Sequence, residues 1–92
     1  MIKNFKHKGL EAFFTTGSKR GIQSKHAERL RLILSRLDDA DTLEDIRFSG
    51  DGLHALKGAL QDMWSVKVSG NWRIIFTFVK AEVRNVNLVD YR

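Results

Sequence analysis

The chain has 92 residues, 42% of them hydrophobic and 29% charged, with a formal net charge of +5 and neither cysteine nor proline. Those values fit a single globular domain over residues 1–92 with a modest core, and they exclude a disulfide framework and a thiolate metal site. No apolar run is long enough to cross a membrane and the N-terminus lacks a signal-peptide pattern, so a cytoplasmic protein without a membrane partner is expected.

The charge is unevenly placed. Residues 1–37 carry nine Lys/Arg against two acids, residues 38–51 carry six acids and Arg47, and residues 52–92 carry six bases and three acids. A basic surface on either side of an acidic belt suits a polyanion such as RNA, DNA or an acidic protein; a plain solvated surface has the same composition.

In chain order, Ile2 and Phe5 bracket a short strand. Leu10, Phe13 and Phe14 fall on one face of a helix over residues 8–16, and Gly17 is placed to end it. After a polar connection, Ser24 reads as an N-cap. Ala27, Leu30, Ile33, Leu34, Leu37 and Ala40 then form the stripe of a second helix. Asp41-Thr42 is placed to cap one further turn, residues 43–47. Ser49-Gly50-Asp51-Gly52 is a loop, followed by a short alternating segment, residues 53–58.

The stretch 63–78 is a hairpin. Trp64, Val66 and Val68 alternate with Ser65, Lys67 and Ser69; Gly70-Asn71 turns the chain; Trp72, Ile74, Phe76 and Phe78 alternate on the return. Arg73 shares its parity with Ile75, Thr77 and Val79, so it projects from the other face of the sheet. Lys80-Ala81 is a second reversal. Residues 83–91 form the last strand, with Arg84, Val86, Leu88 and Asp90 of one parity and Val83, Asn85, Asn87, Val89 and Tyr91 of the other. The order predicts an α+β domain, a twisted antiparallel sheet with two N-terminal helices packed on one face.

His7, His26 and His54 have no metal-site spacing, and neither a phosphate-cradling glycine loop nor a nucleophile elbow is present, so no metal or cofactor is expected. What remains is a polar set on late strands: His54, Lys57, Arg73, Asp90, Tyr91 and Arg92. Phosphodiester cleavage uses such a mixture, cations for the non-bridging oxygens and an acid and a base for two protons. With RNA as substrate the 2′-hydroxyl is the nucleophile. Taken singly, each residue has a plainer reading: an ion-paired surface arginine, a surface histidine, a frayed C-terminus.

The opening Ile2-Lys3-Asn4-Phe5-Lys6-His7-Lys8-Gly9-Leu10, the segment Leu53-His54-Ala55-Leu56-Lys57-Gly58, the block Trp64-Ser65-Val66-Lys67-Val68-Ser69-Gly70-Asn71-Trp72-Arg73-Ile74 and the ending Val89-Asp90-Tyr91 together resemble the HigB toxins of the RelE-type superfamily of bacterial toxin–antitoxin systems. The resemblance covers essentially the whole chain, in order and at compatible spacing. It implies a RelE-like fold and a ribosome-dependent endoribonuclease that cuts mRNA by metal-free attack of the ribose 2′-oxygen on the adjacent phosphate. Carried over, Lys57 and Arg73 bind the scissile phosphate, Asp90 is the candidate base or orienting group, Tyr91 orients or stacks on substrate, and His54 assists. Lys3, Lys6, Lys8, Lys19, Arg20 and Lys25 would face ribosomal RNA. The implied partners are the 70S ribosome with mRNA and a HigA-like helix-turn-helix antitoxin, with promoter DNA reached only through that antitoxin.

One position departs from the pattern. Many HigB toxins end Asp-Tyr-His, whereas this chain ends Asp90-Tyr91-Arg92. Arginine stays charged at neutral pH, so Arg92 is suited to holding charge on phosphorus and not to moving a proton. Three readings follow: Tyr91 or His54 takes over proton transfer, the ribosome supplies it, or the enzyme is attenuated. A basic module that inhibits translation by occupying the ribosome without cutting is the alternative. A DNA-binding regulator is a third, without a helix-turn-helix signature in its favour.

Overall fold

The computed structural model describes residues 1–47, 53–56 and 62–90. The loop predicted over residues 49–52 and the residues Lys57, Gly58, Tyr91 and Arg92 lie outside the described residues.

Helix α1, Lys8–Thr16, has the predicted bounds and buries Leu10 and Phe13. Its start is capped by His7, whose Nδ1 accepts the Leu10 N–H at 2.9 Å, a role that usually falls to Ser, Thr, Asp or Asn. Its end is Gly17, in the left-handed region at φ 81° with its N–H on the Phe13 carbonyl, as a glycine stop requires. Helix α2, Ala27–Asp39, buries Ala27, Leu30, Ile33, Leu34 and Leu37. Ser24 does not cap it. A 3₁₀ turn, Ser24–His26, intervenes, so helical backbone begins three residues later, and the Ser24 carbonyl instead accepts the Ala27 N–H. Helix α3, Leu43–Ile46, is one turn long. The Asp45 carboxylate accepts the backbone N–H of Asp41 at 3.0 Å and of Thr42 at 3.1 Å, and these two bonds hold its pKa below the usual aspartate value.

The sheet has four antiparallel strands in sequential order: β1 His54–Ala55, β2 Met63–Ser69, β3 Trp72–Val79 and β4 Glu82–Asp90. Both hairpins fall where the alternation places them. At the first, Gly70 takes φ 56°; at the second, Lys80 and Ala81 both take positive φ, 52° and 64°, the primed turn geometry without its usual glycine. The N-terminal strand is reduced to parallel bridges, Ile2 with Val83 and Phe5 with Val86, secured by Lys3 N–H to the Val83 carbonyl and Lys6 N–H to that of Val86.

Strict alternation fails in β4. Ile75 pairs with Asn87 but Thr77 with Arg84, so one β4 residue is extra. Asn85 takes it up at φ 58°. Its N–H and side-chain oxygen bond reciprocally with the Asn4 amide, at 3.1 and 3.2 Å. The bulge turns Val83 to the same side as Val86 and Leu88, and Val83 and Val86 are both fully buried.

The core lies between the helices and one sheet face. Leu10, Leu30, Ile33, Leu34, Leu37 and Ile46 pack with Val66, Ile74, Phe76, Val83, Val86 and Leu88. No helix among the described residues is long and apolar enough to cross a membrane.

Candidate active site on the face away from the helices

The pairing registers convert parity into position. His54, Ser65, Ile75 and Asn87 stand opposite one another across β1 to β4, and the next row on that face is Lys67, Arg73 and Val89. Both rows belong to the face away from α1 and α2, because the intervening positions Val66, Ile74 and Leu88 are in the helix-packed core and these are not. Arg73 is half-buried on a central strand. Its guanidinium therefore rises from rigid backbone, which suits the forked donor set that matches a phosphate. His54 is exposed on the edge strand, two strands and one row from Arg73, roughly 12 Å between backbones at ordinary sheet spacings. Two long polar side chains converge on one phosphodiester across such a gap.

Ile75 and Ser65 are buried, 5% and 1% exposed, outside the helix-packed cluster. The Ser65 hydroxyl has no hydrogen-bond partner.

Asp90 is placed differently. It is exposed at the end of β4, opposite Trp72, whereas Arg73 stands opposite Val89. The two residues are on neighbouring strands one step apart, but the pleat gives Asp90 the parity of the helix-covered face. Strand geometry alone does not bring its carboxylate beside Arg73. Lys57, Tyr91 and Arg92 lie outside the described residues.

The six basic residues assigned to ribosomal RNA are all exposed but are dispersed. Lys3 is 3.8 Å from the Glu82 carboxylate, and Lys8 opens α1. Lys19 borders a groove between α1 and α2 lined by Phe13, Phe14 and Leu34. Arg20 borders a cleft of about 290 Å³ with His7, Gln23, His26, Trp72 and Leu88. In that cleft His26 is buried with its ring edge toward Trp72, centroids 6.0 Å apart. Lys6 lies on the bridge to β4 and Lys25 in the 3₁₀ turn. Among the described residues no three His, Asp or Glu side chains gather closely enough to hold a metal ion.

One residue of this face escaped the sequence reading as a functional group: Lys67, directly across from Arg73. Its parity was visible, but the pairing that sets two cations side by side requires the register.

Comparison with known proteins places the whole chain. Residues 3–92 match the family described as RelE-like toxin of type II toxin–antitoxin system HigB. A similar protein is the Endoribonuclease HigB of Proteus vulgaris, 36% identical over 91 residues that cover 99% of each chain.

Proposed function

The chain belongs to the family of RelE-like HigB toxins of type II toxin–antitoxin systems, and from that premise we propose that it is an endoribonuclease that cuts mRNA on the ribosome. The observation that carries the reading is Arg73, a guanidinium on a central strand, on the face the helices leave clear, in a chain similar along its length to a protein named as an endoribonuclease.

In the proposed reaction the ribose 2′-oxygen forms a bond to the adjacent phosphorus and the bond to the 5′-oxygen breaks. A 2′,3′-cyclic phosphate and a 5′-hydroxyl result. Arg73 and Lys57 neutralise the non-bridging oxygens as charge gathers on them. Asp90 takes the 2′-proton or orients the group that does, which requires its carboxylate to turn around the open end of β4 toward Arg73. Tyr91 orients or stacks on the substrate, and His54 or Tyr91 returns a proton to the leaving oxygen. Arg92 adds positive charge and moves no proton, so the rate is attenuated relative to an enzyme with histidine there; a lost general acid costs about 10²–10⁴ in rate.

A toxin of such a system has an antitoxin partner, and here we assign a HigA-like helix-turn-helix protein that carries the promoter-binding role. Lys3, Lys6, Lys8, Lys19, Arg20 and Lys25 contribute to holding ribosomal RNA, and the site of action is the cytoplasm.

The chemistry is tested with purified protein and ribosomes programmed with an mRNA carrying a single 2′-deoxyribose on the 5′ side of the mapped cut. Loss of cleavage at that position alone is expected. Undiminished cleavage there would exclude 2′-oxygen attack.

A further inference from the structure

Arg73 is not the only cation on its row. Lys67 of β2 pairs directly with Arg73 of β3, so the two side chains leave the same face from backbones one strand spacing apart. Like charges at directly opposed positions are unfavourable unless an anion sits between or above them. Lys67 is exposed, and its ammonium makes no hydrogen bond or ion pair among the described residues. On the other side of Arg73 the row ends in Val89, which offers a phosphate nothing. The positive track therefore runs from Arg73 toward β2 and β1, where His54 stands one row further along the same face.

The backbone at Lys67 is held from the opposite side. The β2–β3 register shifts between Lys67 and Ser69, and at that irregularity Arg29 of α2 donates from Nη2 to the Lys67 carbonyl at 3.2 Å. Bulges re-aim side chains and recur beside active sites. Here the helix layer clamps the carbonyl, while the lysine side chain stands on the face away from the core.

We propose that Lys67 binds the RNA phosphate next to the scissile one, as a substrate-binding residue that extends the Arg73 site toward β1. The assignment rests on reading the Arg73 face as the RNA cleft. Because the neighbouring phosphate carries the same charge in ground and transition states, Lys67 strengthens both equally. Its removal raises the concentration needed for saturation and leaves the maximal rate in place. As a point charge, lysine at this position is replaceable by arginine and not by glutamine.

The test compares wild type, Lys67→Gln, Lys67→Arg and Arg73→Ala in two assays. One is single-turnover cleavage on mRNA-programmed ribosomes across a range of protein concentrations. The other is equilibrium binding to ribosomes carrying the same mRNA with 2′-O-methyl riboses, which cannot be cut, at several salt concentrations. Lys67→Gln is expected to raise the half-saturating concentration about three- to tenfold near physiological salt, to lower the salt slope of binding by about one, and to keep the maximal rate within about twofold. Lys67→Arg is expected to follow wild type, and Arg73→Ala to lose the maximal rate. Unchanged saturation and salt slope in Lys67→Gln would overturn the assignment, as would a fall in maximal rate at unchanged saturation. If Arg73→Ala cuts as wild type does, or if wild type does not bind the programmed ribosome, the cleft itself is misplaced. Lys67 then falls with it, by a result distinct from its own failure.

Discussion

Gly9 and Gly21 are the closest approach of two backbones in the molecule's N-terminal half, and Gly9→Ala tests it. Neither glycine takes a positive φ, so space alone accounts for them. A Cβ built on Gly9 meets the Gly21 carbonyl oxygen and lies 2.7 Å from its Cα and 2.8 Å from its carbonyl carbon. Ordinary contact begins at 3.4 Å, so α1 and the 17–23 connection would have to part by roughly 0.7 Å, an overpacking that costs about 1–3 kcal/mol. Alanine's helix propensity returns at most about 1 kcal/mol, and less at the second helical residue than mid-helix. The net expectation is a loss of about 1–2 kcal/mol, a drop in Tm of several degrees for a chain of this length. The same displacement would shift Arg20 and Ile22 at the cleft beside Trp72. Urea unfolding followed by circular dichroism, with Gly17→Ala alongside, separates space from backbone conformation. A methyl at Gly17 meets nothing within 4 Å, but that residue sits at φ 81°. A Gly9→Ala protein as stable as wild type would refute the close approach, since propensity alone would then rule the position.

Further outcomes follow from the fold. Two backbone N–H bonds depress the Asp45 pKa in the folded chain, so this carboxylate stabilises above its unfolded pKa and the contribution disappears as pH falls through the lowered folded value. Asp45→Asn should therefore weaken the protein at pH 7 and flatten this part of the acid limb in unfolding measured from pH 7 to 3; an unchanged limb would remove the capping role. Ala81 sits at φ 64°, where a Cβ costs about 1–2 kcal/mol. Ala81→Gly should gain about 0.5–1 kcal/mol net of the extra freedom of glycine in the unfolded chain, read as a rise in Tm. A lower Tm would count against the primed turn.

The residues differ in how far the sequence carries them. Helix α1 was legible because Leu10, Phe13 and Phe14 share a face and Gly17 ends it. The hairpins were legible because Trp64 to Phe78 alternates around Gly70-Asn71. The cap by His7 was not, since a histidine rarely caps and its ring position depends on the chain around it. Nor was the bulge at Asn85: Val83 and Val86, three apart, both look apolar, but only the reciprocal bonds to Asn4, eighty-one residues away, select which residue is extra. In the candidate site, parity put Arg73 on the face away from the helices. Its neighbours are a matter of register, a long-range quantity. Register set Lys67 beside Arg73 and His54 two strands off, and it set Asp90 in the row of Trp72.

The central claim is cleavage of translated mRNA at the Arg73 site, and its most direct measurement is 5′-end mapping of transcripts after brief induction in bacteria of wild type, Arg73→Ala and Arg92→His. New 5′ ends inside translated codons are expected with wild type. They should fall by about 10²–10³ with Arg73→Ala, the usual consequence of removing one donor to developing charge, and increase with Arg92→His. Growth arrest without new 5′ ends, or cutting by Arg73→Ala equal to wild type, would contradict the account and leave a protein that inhibits translation by occupying the ribosome.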